Sequence, residues 1–206
     1  KIESSNLSIP KFFRNIYIRE NKCLIMCFQK LKKLFVDPSA FFKEVSKEKG
    51  YWTVLKFFVV INVVVALIQA LVSIATKDIL VILPFILTGL IVGIVSGFVI
   101  PFIVSLIAYL GILIICRKKN YFNTFKAITY GLIISVIYGV ISFIIYFVLA
   151  FSINNISVSN TARETISLIG LVHMIIAQTI GISIYHSISR IKAFFGIILV
   201  PLVILV

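Results

Sequence analysis

Residues 79–115 read ILVILPFILTGLIVGIVSGFVIPFIVSLIAYLGILII, without one charged side chain. The run is longer than the roughly 18 apolar residues that mark a membrane-spanning helix. A second charge-free run extends from Ala127 to Ala162. Across the 206 residues the hydrophobic fraction is 61% and the mean hydropathy is +1.14. Soluble domains are about 45–50% apolar, and one core in a chain of this size cannot hide so much Ile, Val, Leu and Phe. A bilayer removes the difficulty. The fold class expected is all-α, a polytopic transmembrane helical bundle of about five spans.

The opening run also poses a counting problem. One straight helix over 79–115 would be roughly 55 Å long, against about 30 Å of hydrocarbon. Two spans would need a turn, and no polar turn is present. Pro84 and Gly89 are placed to break the helix early. Residues 79–87 therefore read as a short interfacial or re-entrant piece, and 89–115 as one long span kinked near Pro101. The other spans fall at about 52–75, 126–151, 164–187 and 193–206, which makes 51–206 the transmembrane domain. Tyr51 and Trp52 stand at the mouth of the first span, and Lys56, one turn inside, can snorkel back.

Loop charges test this count. The tail through Tyr51 holds eleven Lys and Arg. The 76–78 turn adds Lys77, the 116–126 loop Arg117, Lys118, Lys119 and Lys126, the 152–163 loop Arg163, and the 188–192 loop Arg190 and Lys192. Rich and poor loops alternate as five spans with a cytoplasmic N-terminus require. Two crossings within 79–115 would put Arg117-Lys118-Lys119 outside. The net charge of +13 then serves topology and anionic headgroups, not nucleic acid. A prokaryotic cell membrane is the expected location.

Residues 29–50 form a basic amphipathic cytoplasmic segment. Leu31, Leu34 and Phe35 alternate with Lys30, Lys32 and Lys33. Asp37-Pro38 is a helix start, with Asp as N-cap and Pro first inside. Phe41, Phe42 and Val45 then line one side, Lys43 and Lys47 the other, and Gly50 ends the helix. The segment either lies on the inner leaflet, with these lysines on lipid headgroups, or packs on the cytoplasmic ends of the spans. Residues 1–28 read as an uncertain extension without a cleavable signal peptide, and Met26 opens an alternative start. Cys23, Cys27 and Cys116 do not read as a disulfide framework.

Three spans carry small-residue seams that let helices approach closely. Gly89, Gly93 and Gly97 recur at i, i+4 and i+8, with Ser105 roughly in line. Gly131, Ser135 and Gly139 repeat the spacing, as do Ala177 and Gly181. The intramembrane polar set is Asn62, Gln69, His173, Gln178 and His186. Interhelical hydrogen bonding is the plain reading of these residues. A wet cavity gathering Asn62, Gln69, His173 and Gln178 is the functional one, and it would indicate a small transporter or channel. No carboxylate lies deep in a span, which disfavours proton coupling. A membrane enzyme would need Ser183 and His186 in one pocket, and no Gly-x-Ser-x-Gly, His-Glu-x-x-His or phosphate loop accompanies them. No cofactor or metal set is read. Asn155-Ile156-Ser157 is a sequon in the 152–163 loop.

The order of these features resembles the Yip-domain membrane proteins. The matching pieces are Asp37-Pro38-Ser39-Ala40-Phe41-Phe42 after a Lys-rich stretch, Asn123-Thr124-Phe125-Lys126-Ala127 with Tyr130, and Arg190-Ile191-Lys192-Ala193 before the last span. The resemblance covers residues 26–206. Arg117-Lys118-Lys119-Asn120 departs from the glycines common there, and the long acidic cytoplasmic domain of eukaryotic members is absent. In eukaryotes the family implies contact with Rab-type GTPases, and the segments that would carry it are not matched. The resemblance implies a non-enzymatic protein that organises membrane or partner proteins. Its expected partners are the lipid bilayer, anionic headgroups, and a membrane protein or second copy.

Overall fold

The computed structural model describes residues 28–74, 79–117, 120–153 and 156–205, and every regular element among them is a helix. The elements are α1 (28–36), α2 (Pro38–Val45), α3 (Tyr51–Ile74), α4 (Ile79–Cys116), α5 (Tyr121–Ile153), α6 (Ile156–His186) and α7 (Arg190–Leu205). The extension before residue 28 and the Lys77 turn lie outside the described residues, as do the side chains of Gln69 and the position of Gly89 within its seam.

Four of these helices are long and apolar enough to cross a membrane, with windows Tyr51–Ile68, Gly93–Cys116, Tyr121–Ala150 and Ser157–His186. The shorter α7 lies along α4 and completes a bundle of about five spans. The two halves of the bundle are an α5–α6 antiparallel pair and an α3–α4–α7 group, joined by contacts of α5 with α3 and α4. The outward faces are apolar too. Ile91, Val95, Ile103, Leu106 and Ile114 of α4 are all exposed, as expected of a helix solvated by lipid.

Local chemistry accounts for the ends. The Asp37 carboxylate accepts from Ala40 N at 2.9 Å with Pro38 at the first position, so α2 starts where the sequence predicts. Asn120 caps α5 through Asn123 N. Ser187, with φ 52°, turns the chain out of α6, and Ile188 N closes on Ser183 O at 3.2 Å.

Three expectations fail here. Residues 79–87 are not a separate piece, because α4 runs unbroken from Ile79 through Pro84, Gly89 and Pro101 to Cys116. In hydrocarbon no water competes for the backbone, so proline weakens a helix without ending it. Second, α2 stops at Val45 and not at Gly50. Gly50, with φ +87°, makes the turn into α3. Third, the 152–163 loop is helical from Ile156 onward, so most of it extends the fourth span.

Candidate functional site

The densest meeting of polar and aromatic side chains lies where α1 and α2 dock at the start of α5 and the end of α6. The apolar face of the basic segment is consumed by this contact. Leu34, Phe41, Phe42 and Val45 are all buried. The Phe42 ring lies edge-on to Tyr185 at 5.7 Å and fills the place where Gly181 lacks a side chain, with ring atoms 2.9 Å from its would-be Cβ. Phe41 meets Tyr130 edge-on at 5.1 Å. Deeper still, Phe35 packs on His173 at 5.4 Å and on Tyr138 at 6.0 Å. Tyr138 stands about 16 Å along α5 from Ala127, at 1.5 Å per residue. Phe35, half-buried, thus reaches along the α5–α6 pair, while Val36 at the corner between α1 and α2 is exposed.

Lys126 holds the other end of α2. It is 2% exposed. Its ammonium donates to the carbonyls of Val45 at 3.3 Å, Ser46 at 3.1 Å and Glu48 at 2.8 Å. The rings of Phe122 and Tyr185 flank it at 5.0 Å each. The last carbonyls of a helix have no intrahelical partner and carry partial negative charge, so one cation satisfies both needs. Glu48, beside it, accepts from Lys30 at 2.6 Å and from the Tyr130 hydroxyl. On the far side of the contact, Asn123 Nδ2 donates to Tyr185 O at 3.2 Å and Thr124 pairs with His186 at 3.0 Å.

The stretches Asp37–Phe42 and Asn123–Tyr130 therefore face each other across one contact. The family profile of the Yip1 domain matches residues 32–206, which includes both. The chain belongs to the Yip1 domain family. No curated protein and no solved structure matches it. In this Yip1 domain two of the three stretches that carry the resemblance, Asp37–Phe42 and Asn123–Tyr130, meet where α2 is fastened to the bundle.

The lysines divide into two groups. Lys30 pairs with Glu48 and Lys33 with Glu44. Lys32, Lys43 and Lys47 are exposed, and among the described residues none of the three makes an ion pair. The Lys33 ammonium, by hydrogen bond and then by charge, holds the Glu44 carboxyl below its ordinary value of 4.5, with Lys30 adding to the effect. A carboxyl lowered in the folded state contributes stability above its unfolded pKa and loses it as pH falls through the folded value. Amide protection across residues 28–50, taken relative to the intrinsic exchange rate at each pH, is therefore expected to fall below pH 4.5, and Glu44→Gln to blunt that dependence. An identical acid response in the variant would remove Glu44 from the account.

The Yip1 domain scatters the remaining predicted residues. The would-be Cβ of Gly93 lies 3.6 Å from Ala66, and that of Gly97 lies 3.5 Å from Val59, so this seam receives α3. Gly131 receives Gln178, whereas Gly139 meets nothing within 4 Å and Ser135 is half-buried. Asn62 donates to Phe58 O on its own helix at 2.9 Å. Gln178 donates to Ile128 O at 3.3 Å. His173 faces Tyr138 at 3.4 Å and Phe35. Each of the three described polar residues is committed to a different contact. Ser183 donates to Ile188 O at 2.6 Å, and its neighbour His186 is turned to Thr124.

Lys126, counted with the 116–126 loop, is instead buried inside α5. The sequence reading also passed over Gly111, Gly170 and Gly196. The would-be Cβ of Gly111 lies 1.9 Å from Gly196 O, and that of Gly170 lies 2.5 Å from Tyr138 Cβ. These are the close helix crossings, and none stands in a regular small-residue repeat.

Proposed function

We propose that this multi-pass Yip1 domain is a non-enzymatic organiser of membrane or partner proteins, with its basic end at the cytoplasmic face of a cell membrane. The observation that carries the reading is the commitment of the α1–α2 apolar face to the bundle. A free amphipathic helix would spend that face on lipid. Here it is spent on Tyr130, Gly181 and Tyr185, so Lys32, Lys43 and Lys47 stand at fixed positions on a rigid support. Arg117, Arg190 and Lys192, at neighbouring helix ends, extend the same basic end. Such a surface suits anionic headgroups or an acidic partner, and the excess of Lys and Arg at one end supports the orientation.

The test places the protein in nanodiscs of phosphatidylcholine with and without phosphatidylglycerol and weighs the retained lipid by native mass spectrometry. Each lysine near an anionic surface contributes about 1 kcal/mol at low salt. The triple variant Lys32→Gln, Lys43→Gln, Lys47→Gln is expected to lose its phosphatidylglycerol preference by more than tenfold, and salt should mimic the loss. An unchanged lipid shell would sink the headgroup reading. Turnover of any substrate by the purified protein would sink the non-enzymatic one.

A further inference from the structure

The opposite end of α6 carries an unusual face. A cleft of about 480 Å³ there is lined by Asn160, Arg163, Glu164, Ser167, Leu168 and Leu171. All six are exposed. Arg163 and Glu164 are the only charged residues between Ala127 and Ser189. Adjacent helix residues do not face each other, so the two cannot neutralise one another within one chain. Among the described residues neither forms an ion pair; Arg163 only approaches the Tyr146 ring at 5.9 Å.

The α5–α6 register makes this costly. Ser167 lies against Ser142, Gly170 against Tyr138 and Arg163 against Tyr146. Beyond Tyr146, α5 continues for nearly two more turns as Phe147-Val148-Leu149-Ala150-Phe151 and on to Ile153, and Val148 there is 56% exposed. The polar face of α6 therefore does not clear the apolar belt of its neighbour. Arg163 and Glu164 stand at the edge of the span, and ionisable groups beside an apolar belt are stabilised by pairing with one another.

We propose that this face is where a second copy of the chain docks, around a two-fold axis along the membrane normal. At 3.6 residues per turn, Asn160, Ser167 and Leu171 form a central line, with Arg163 on one flank and Glu164 on the other. A two-fold axis through the central line brings opposite flanks together. Arg163 then meets Glu164 of the partner subunit, and the reverse, at almost the same height. Asn160 meets its own counterpart, Ser167 beside it keeps its contact with Ser142, and Leu168 and Leu171 pack below. The face is complementary to itself in charge. This goes beyond the reading above and does not depend on it, since the exposed lysines lie at the other end.

The experiment uses the full chain in native membranes, with Cys23, Cys27 and Cys116 replaced by Ser. Asn160→Cys and Ser167→Cys are expected to cross-link to a dimer on mild oxidation, and Ile114→Cys, 65% exposed on α4, is not. Arg163→Glu and Glu164→Arg should each weaken the dimer association constant about tenfold, equivalent to roughly 1.4 kcal/mol. The double variant Arg163→Glu with Glu164→Arg should restore it, because each new pair is again of opposite sign. Glu164→Gln, a milder change, should fall between, and it guards against variants that fail to insert. Cross-linking at 160 and 167 no better than at 114 overturns the proposal. So does a double variant no better than the singles, or a charge change that alters bound phospholipid and not the dimer.

Discussion

Replacing Gly111 with alanine is expected to cost about 3 kcal/mol and to loosen α7 from α4. The added methyl would sit 1.9 Å from Gly196 O and 3.0 Å from its carbonyl carbon. Those atoms are backbone, and no rotamer change relieves them; only separation of the two helices does. Other glycines calibrate the effect. A methyl on Gly196 meets Ile112 Cγ1 at 3.1 Å, a side chain that can give, so about 1 kcal/mol is expected. A methyl on Gly139 meets nothing within 4 Å, and there alanine should stabilise by up to about 1 kcal/mol through its greater helix propensity. Unfolding by detergent titration in bicelles reads all three. The order Gly111 far below Gly196, with Gly139 at or above the parent, is the expected result. Similar values at Gly111 and Gly139 would mean that the α4–α7 crossing is not as close as described.

That contrast shows what spacing can and cannot say. The repeat Gly93–Gly97 points to a close helix neighbour, and α3 is there. The repeat Gly131–Ser135–Gly139 points the same way, and only Gly131 is occupied. Gly111 and Gly196 stand alone in the sequence, yet their backbones are in contact. A repeat shows that a helix face is bare. It does not show which helix arrives, or where two helix backbones approach at a single lone glycine. That information lies in long-range packing.

The helices themselves were legible because hydrocarbon leaves the backbone no alternative. The start of α2 was legible because a cap is local: Asp37 and Ala40 are three residues apart. Pro84 misled for the same reason. Its soluble meaning, a helix stop, depends on water ready to take the freed carbonyl. In the basic segment Phe41, Phe42 and Val45 are buried and Lys43 and Lys47 exposed, and the sequence could not separate the two uses of that apolar face. The deciding partners, Tyr130, Gly181 and Tyr185, lie far along the chain.

Lys126 is the sharpest case, and its replacement carries the second large expectation. Lys126→Met should cost about 3 kcal/mol and free α2 while the spans stay folded. Two effects oppose each other. Removing a buried cation recovers its desolvation cost, which makes some such changes neutral or favourable. Here, however, three carbonyls remain behind: Val45 O keeps the Glu48 N–H at 3.0 Å, but those of Ser46 and Glu48 lose the ammonium that served them. Hydrogen bonds to a charged group contribute about 1.5–3 kcal/mol each, and methionine supplies no donor. The methionine stem keeps the contact with Phe122 and Tyr185, so the loss is electrostatic and not a cavity. Lys126→Arg should recover only part of it, since a planar fork cannot converge on three carbonyls as a compact ammonium does. Proteolysis or amide exchange across residues 28–50 is the decisive readout. Protection there should fall sharply in the Met variant and partly in the Arg variant, with α5 and α6 unchanged. Full protection of 28–50 in the Met variant would show that Phe41 and Phe42 hold the segment alone. If protection falls as expected, one lysine at the start of α5 determines where the exposed lysines of the basic face stand.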